Sequence, residues 1–300
     1  MPSWLMAADG YSGGPAGATR PRRERDSARG ALDFGVGAKV NPAAGENPTE
    51  VFGPLAEEYA RFRPSYPDAL FDELLGRLGH QPGATLDLGA GTGAATASLL
   101  RRGARVVALE PNRSMLGKAT ARLAGAAGWL GAVAARAEEV PIASASVACI
   151  TVAQAFHWFE PELALAEFAR VLRPRGLLAL MWNVVVPDAF TDEVFALVAR
   201  HNPSHGRPVT RRMLATPEPL ARHPAFDVAA PAEFAHERTM NEDAYVGYAF
   251  SWSYCGGALA GDSRSAFERE LREVIRRHRP EGSWPERLVA VAHFAARLPR

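Results

Sequence analysis

Several things are scarce in this sequence. Two cysteines in 300 residues, Cys149 and Cys255, are too few for a disulfide framework or a four-cysteine zinc site. Net charge is almost absent, with 34 lysines and arginines against 33 aspartates and glutamates. That balance excludes a protein held to nucleic acid chiefly by neutralising phosphates. No apolar run approaches the ~20 residues that span a bilayer. The start, Met1 to Asp9, lacks the basic residues and apolar stretch of a signal peptide. His201 and His205 have the spacing of two ligands on a helix, but Pro203 between them would break it and no third ligand is evident. These absences predict a cytoplasmic protein with no metal, no nucleic-acid partner and no membrane contact.

What remains is the composition of a globular protein, 47% hydrophobic and 22% charged. Residues 1–47 are rich in Gly, Pro, Ala and Arg without an apolar period, as in Arg20-Pro21-Arg22-Arg23-Glu24-Arg25. Such a stretch buries too little apolar surface to offset its ordering entropy, so a disordered tail is expected. Two further segments are expected: a core with N-terminal cover helices over 48–183, and an insertion with the closing strands of the same domain over 184–300.

Leu55 to Phe62 reads as a helix, broken by Arg63-Pro64-Ser65-Tyr66-Pro67. Pro67 opens a second helix with Leu70, Phe71, Leu74, Leu75 and Leu78 at helical spacing. Strands at 84–88, 105–109, 129–134, 147–152 and 177–182 then alternate with helices at 94–102, 114–123 and 161–172. Short connections between them predict a doubly wound α/β fold, with a parallel sheet covered on both faces. From Asn183 to about Pro231 the chain carries several prolines and little regular pattern. Strands near 234–240 and 287–298 and helices at 242–248 and 262–278 close it.

The chemically informative segment is Leu86-Asp87-Leu88-Gly89-Ala90-Gly91-Thr92-Gly93, a strand entering a glycine-rich turn before a helix. Glycines let a ligand approach the backbone, and the helix start offers unpaired N–H groups. Glu110 ends the next strand, roughly 20 residues on, where a carboxylate can accept ribose hydroxyls. Gly89, Gly91 and Ala94 also satisfy the dinucleotide fingerprint. Asp87 separates the two readings. Its carboxylate beside a pyrophosphate would be repelled by several kcal/mol on an order-of-magnitude Coulomb estimate. S-adenosylmethionine (SAM) has no phosphate and carries a cationic amine and sulfonium, so the acidic residue favours it.

At these residues the sequence resembles the class I SAM-dependent methyltransferases, from about Val51 onward. Asp87, Gly89, Ala90, Gly91 and Gly93 correspond to the family's first motif. Glu110, Pro111 and Met115 fall in and after its ribose-binding acidic loop, and Ala137 and Glu138 where the adenine lies. Val152-Ala153-Gln154-Ala155-Phe156-His157-Trp158-Phe159 is similar to a small-molecule subgroup that includes the trans-aconitate type, as is the covering segment Tyr59 to Pro67. The resemblance implies a Rossmann-like, mostly parallel seven-stranded sheet with an antiparallel last strand and helical cover elements. Leu172-Arg173-Pro174-Arg175-Gly176 resembles the turn before the fifth strand, with Arg175 in place of a glycine. Ala148 stands where many relatives carry an acid, read as the loss of a surface or loop carboxylate. Arg136 replaces an acid beside the adenine, which leaves backbone groups around Ala137 as the expected contacts.

Methyl transfer is an in-line displacement whose main requirement is alignment. A base is needed only where the acceptor must lose a proton, and His157 is the candidate. Gln154 is expected to hydrogen-bond cofactor or acceptor. Trp158, Trp182, Tyr248, Phe250, Trp252 and Tyr254 are candidates to line an apolar acceptor cleft, and Arg61, Arg63, Arg211 and Arg212 to meet a carboxylate. The expected function is methylation of a small-molecule acceptor by a monomer or homodimer. A nucleic-acid methyltransferase or a SAM-binding partner subunit without turnover stands as the alternative.

Overall fold

Five short segments dominated by apolar residues become the centre of one sheet. The computed structural model describes residues 55–79, 81, 83–203 and 217–299; the tail expected over 1–47, with His205, Arg211 and Arg212, lies outside them. Strands β1 (Ala84–Leu88), β2 (Val106–Leu109), β3 (Trp129–Val133), β4 (Val147–Ala153) and β5 (Leu172–Val185) pair in parallel in the order β3-β2-β1-β4-β5. β1 and β2 are buried along their whole length and β4 along all but its last residue. Near-continuous apolar runs suit strands covered on both faces.

Two helices precede the sheet, α1 (Ala56–Phe62) and α2 (Asp68–Leu78). The helices α3 (Ala94–Arg101), α4 (Arg113–Leu123) and α5 (Pro161–Val171) make the crossovers. α2 packs Leu70, Phe71, Leu74 and Leu78 against Leu177, Ala179 and Met181 of β5. Each such side chain contributes about 1.5–3 kcal/mol when fully buried.

Past β5 the chain forms α6 (Ala189–His201), α7 (Glu218–Arg222), β6 (Phe226–Val228), β7 (Ala232–Asn241), α8 (Glu242–Phe250), α9 (Gly261–His278) and β8 (Ser283–Arg297). β8 runs antiparallel between β5 and the outermost strands. The sheet has the seven positions expected, but eight strands, because the outermost position is interrupted. Ala229 to Pro231 face only His293 and Phe294, so the register slips by one residue between β6 and β7. Pro231 has no N–H to give the ladder, which accounts for the break at this bulge.

α6 was not foreseen. It lies in the stretch read as poor in pattern, behind three valines and Pro187 that look like strand. Its signal is local: Asp188 Oδ1 accepts from Thr191 N and Thr191 Oγ1 accepts from Asp188 N, both at 2.8 Å, a reciprocal capping box. With α8 and α9, α6 builds a second apolar cluster of Phe190, Val194, Tyr245, Trp252, Phe267 and Trp284.

Candidate active site

The carboxyl ends of β1, β2 and β4 open on a cleft of about 930 Å³, the place where open α/β sheets bind ligands. Its floor is the turn after β1. Gly89 has φ +65°, and a Cβ there would lie 2.5 Å from that of Ala155, so no larger residue fits undisturbed. Gly93 caps α3 at φ +80°, with Leu123 and Ala119 of α4 filling the space a side chain would need.

Glu110 lines the cleft at the end of β2 and is 7% exposed. Its Oε2 accepts from Gly91 N and its Oε1 from Asn112 N, each at 2.9 Å. Burial raises its pKa, against the pull of those two N–H groups, and Asp87 adds to the rise. Each carboxylate oxygen keeps a further lone pair for a ligand hydroxyl. Asn112 caps α4 by accepting from Met115 N at 3.0 Å, which sets Met115 in the cleft wall.

Asp87 is placed differently from the expectation. It is fully buried behind the turn, does not line the cleft, and accepts from Thr96 Oγ1 at 2.5 Å and Thr151 Oγ1 at 2.7 Å. It ties β1 to α3 and β4, so a direct contact between its carboxylate and a ligand amine is not what this geometry offers. Burial raises its pKa, and the two hydroxyls oppose the rise. Ala90 and Gly93 also stand off the cleft; Ala90 N donates to Leu109 O at 3.1 Å and shapes the turn.

The other walls combine Tyr59 of α1 with Pro111, Arg136, Ala137 and Glu138, and with Gln154, Trp158 and Phe159. Arg136 Nε donates to Glu138 Oε2 at 3.3 Å, so this cation partly neutralises its neighbour at the rim. Glu138 Oε1 accepts from Glu160 N at 2.9 Å, fixing the loop ahead of α5. Gln154 adopts φ +55°, an uncommon backbone state for a residue with a side chain, and sits at the end of β4.

Residues 86–180 match the family of methyltransferase domains. A malonyl-[acyl-carrier protein] O-methyltransferase of Dechloromonas aromatica is 31% identical over 210 residues, covering 66% of this chain and 75% of that protein. The chain belongs to the class I SAM-dependent methyltransferase family. An uncharacterised methyltransferase of Mycobacterium tuberculosis is 46% identical over 132 residues, 44% of this chain; the match spans about half of that relative, 51%. A solved structure from Anaeromyxobacter dehalogenans, assigned provisionally to the type II methyltransferases, covers 80% of this chain and 100% of its own, with a TM-score of 0.60 and 29% identity.

Several of the residues expected at the site fall outside the cleft. His157, exposed in the short 3-10 turn Phe156–Trp158, does not line the cleft, and its ring lies 5.5 Å from that of Trp158. The surrounding protein and then the Arg63 charge push its pKa down. Of the six aromatic candidates, only Trp158 lines the cleft. Tyr248, Phe250 and Trp252 belong to the helical cluster, Tyr254 packs against it, and Trp182 is buried edge-on to His293. Arg61 stacks on Phe62, whereas Arg63 lies over Tyr59 at 4.8 Å and donates to Ser251 O at 3.0 Å. His201 closes α6 against Glu270 at 3.1 Å.

Ala148 corrects a further expectation. It is buried in β4, and a Cβ at Gly83 would lie 2.7 Å from its own Cβ. A carboxylate there would be neither on the surface nor in a loop. Tyr59, Ala155 and Phe159 carried a signal, since they lie inside the two segments quoted for the resemblance. Leu109 carried one too, as the last residue of the strand expected over 105–109 and the one that leads into the acidic loop of Glu110. No helix among the described residues is long and apolar enough to cross a membrane.

Proposed function

We propose that this protein transfers a methyl group from SAM to a small-molecule acceptor bound over the carboxyl end of β4. The observation that carries the reading is Glu110, held by Gly91 N and Asn112 N and facing the cleft beside a side-chain-free turn. The residues present fit SAM: a Cβ on Gly91 would meet only Met115 Cε at 3.5 Å and Tyr59 Cε1 at 3.8 Å, so the space above this glycine is a cradle. SAM, when bound, supplies an electrophilic methyl on a sulfonium.

Glu110 accepts the ribose hydroxyls, and main-chain groups of the Gly89–Gly91 turn receive the amino-acid end. Met115 and the Ala137–Glu138 stretch bracket the adenine, with Arg136 at its open edge. Tyr59, Trp158 and Phe159 exclude water from the line of attack, where alignment can supply roughly 7–11 kcal/mol of the barrier reduction. The Gln154 carboxamide marks the acceptor side.

His157 does not line the cleft, and no histidine among the described residues does. This favours an acceptor that arrives already nucleophilic, such as a carboxylate, over one that needs deprotonation. The relative from Dechloromonas aromatica is named as an O-methyltransferase, which agrees with an oxygen acceptor here. Calorimetry with SAM and with NAD tests the cofactor, and saturable heat with NAD alone would overturn the proposal. A panel of small carboxylic acids with methyl-labelled SAM tests the acceptor; label transfer only to nucleic acid, or to nothing, would overturn that part.

A further inference from the structure

We propose that Asn183 is a positioning residue for methyl transfer, holding two opposite walls of the cleft in place although it touches neither ligand. The inference rests on the function proposed above. Asn183 lies near the carboxyl end of β5 and does not line the cleft. Its main-chain oxygen accepts from Gln154 Nε2 at 3.0 Å. Only the nitrogen end of a carboxamide can meet a carbonyl, so this bond fixes which way Gln154 faces and leaves its Oε1 as the uncommitted end. The Gln154 backbone is pinned to the same strand, its N–H donating to Met181 O at 2.9 Å. β5 therefore holds both ends of a residue whose left-handed backbone needs such support.

The side chain of Asn183 reaches the other wall. Nδ2 donates to Ser65 O at 3.1 Å and Pro64 O at 3.4 Å, in the strap that follows α1, the helix that bears Tyr59. Oδ1 takes up His236 Nε2 of β7 at 2.9 Å. Because Nδ2 is spent on carbonyls, the histidine nitrogen is the donor. A carboxamide is the group that serves both partners. Aspartate would face two carbonyls with a third acceptor, and leucine of similar shape would satisfy neither.

The strap has other anchors. Tyr66 Oη donates to Met181 O at 3.2 Å and Arg238 Nη1 to Phe62 O at 2.6 Å. Loss of the Asn183 bonds thus loosens the strap without unfolding the sheet, and the effect falls on the position of Tyr59 and Gln154.

The test compares Asn183→Asp, Asn183→Leu and His236→Gln, by calorimetry with SAM and by hydrogen exchange of the ligand-free protein. Asn183→Asp and Asn183→Leu are expected to weaken SAM binding about tenfold, close to 1.4 kcal/mol. Amide exchange should quicken over residues 59–66 and 154–158 while β1 and β4 keep wild-type protection. His236→Gln retains an N–H donor toward Oδ1 and should stay within about twofold of wild type. Should Asn183→Leu fail to fold, His236→Ala, which removes only the partner of Oδ1, should show the same local pattern with about a threefold loss. Unchanged SAM affinity in Asn183→Asp, or faster exchange spread evenly into β1 and β4, would overturn the proposal. A wild-type chain that binds no SAM would refute the functional reading itself, visibly before any substitution is made, and this inference with it.

Discussion

Substituting Gly89 by alanine tests the contact on which the cleft floor depends. At φ +65° an alanine carries about 1–2 kcal/mol of left-handed strain. Its Cβ would also lie 2.5 Å from Ala155 Cβ, and relieving such overpacking costs typically ~1–3 kcal/mol. Gly89→Ala should therefore destabilise by about 2–5 kcal/mol in urea denaturation. Ala155 leads into the turn that holds Trp158 and Phe159 in the cleft, so any relaxation moves that wall and SAM affinity falls as well. Ala155→Gly removes the opposing methyl. Alone it should cost about 0.5–1 kcal/mol through backbone entropy, yet in the Gly89→Ala background it should restore roughly 1–3 kcal/mol. The coupling is the diagnostic quantity. Strictly additive effects would mean that the two Cβ positions do not compete, and the argument for a glycine at 89 would reduce to backbone conformation.

Four further outcomes follow from the geometry. Glu110→Gln replaces a charged acceptor of two N–H groups by one that must turn a donor toward one of them, so calorimetry should show SAM binding weakened by about 10–100-fold. Thr151→Val removes one hydroxyl that holds down the raised pKa of Asp87. The folded state binds that proton more tightly than the unfolded chain, so stability from this group is present in acid and lost as pH rises through the folded value. The variant should therefore be less stable by about 1–3 kcal/mol above that pH and approach wild type in acid; a deficit independent of pH would refute the assignment. Arg175→Gly relieves a left-handed residue at φ +64° in the exposed opening stretch of β5 and should raise the urea midpoint by an amount worth about 1 kcal/mol; a lower midpoint would show that the side chain itself is needed. His157→Ala should leave SAM affinity within about twofold and stability within about 0.5 kcal/mol, and a large loss of turnover on an identified acceptor would restore the base role.

The parallel half of the fold was legible because its signals are local. Apolar runs such as Ala84–Leu88 and Val147–Ala153 have no hydrophilic face to disguise them, and the Gly89–Gly93 turn needs glycine for reasons of backbone conformation. Arg175 stands where the resemblance has a glycine and adopts φ +64°, a backbone state that was not drawn from the sequence. The far half was less legible. Its outer strand breaks at a bulge that depends on pairing with β8, and the α6 signal lay in a four-residue cap next to a valine run. In the site, Glu110, Pro111, Met115, Ala137, Glu138 and Gln154 were placed by motif. Asp87 was misjudged because sequence gives a residue's neighbours along the chain but not which face of β1 it occupies. Asn183 and His236 left no trace, since their meeting depends on hydrogen bonds between strands far apart in sequence.

The apolar cluster of α6, α8 and α9 also takes in Met240 of β7 and Trp284 of β8, with Phe190 against Trp284 and Tyr245 against Trp252. It is tied to α1 by apolar and polar contacts alike, with Phe62 packing against it and Arg63 donating to Ser251 O. None of the cluster's side chains lines the cleft, so a substitution in it reaches that wall only indirectly, through α1, the helix that bears Tyr59.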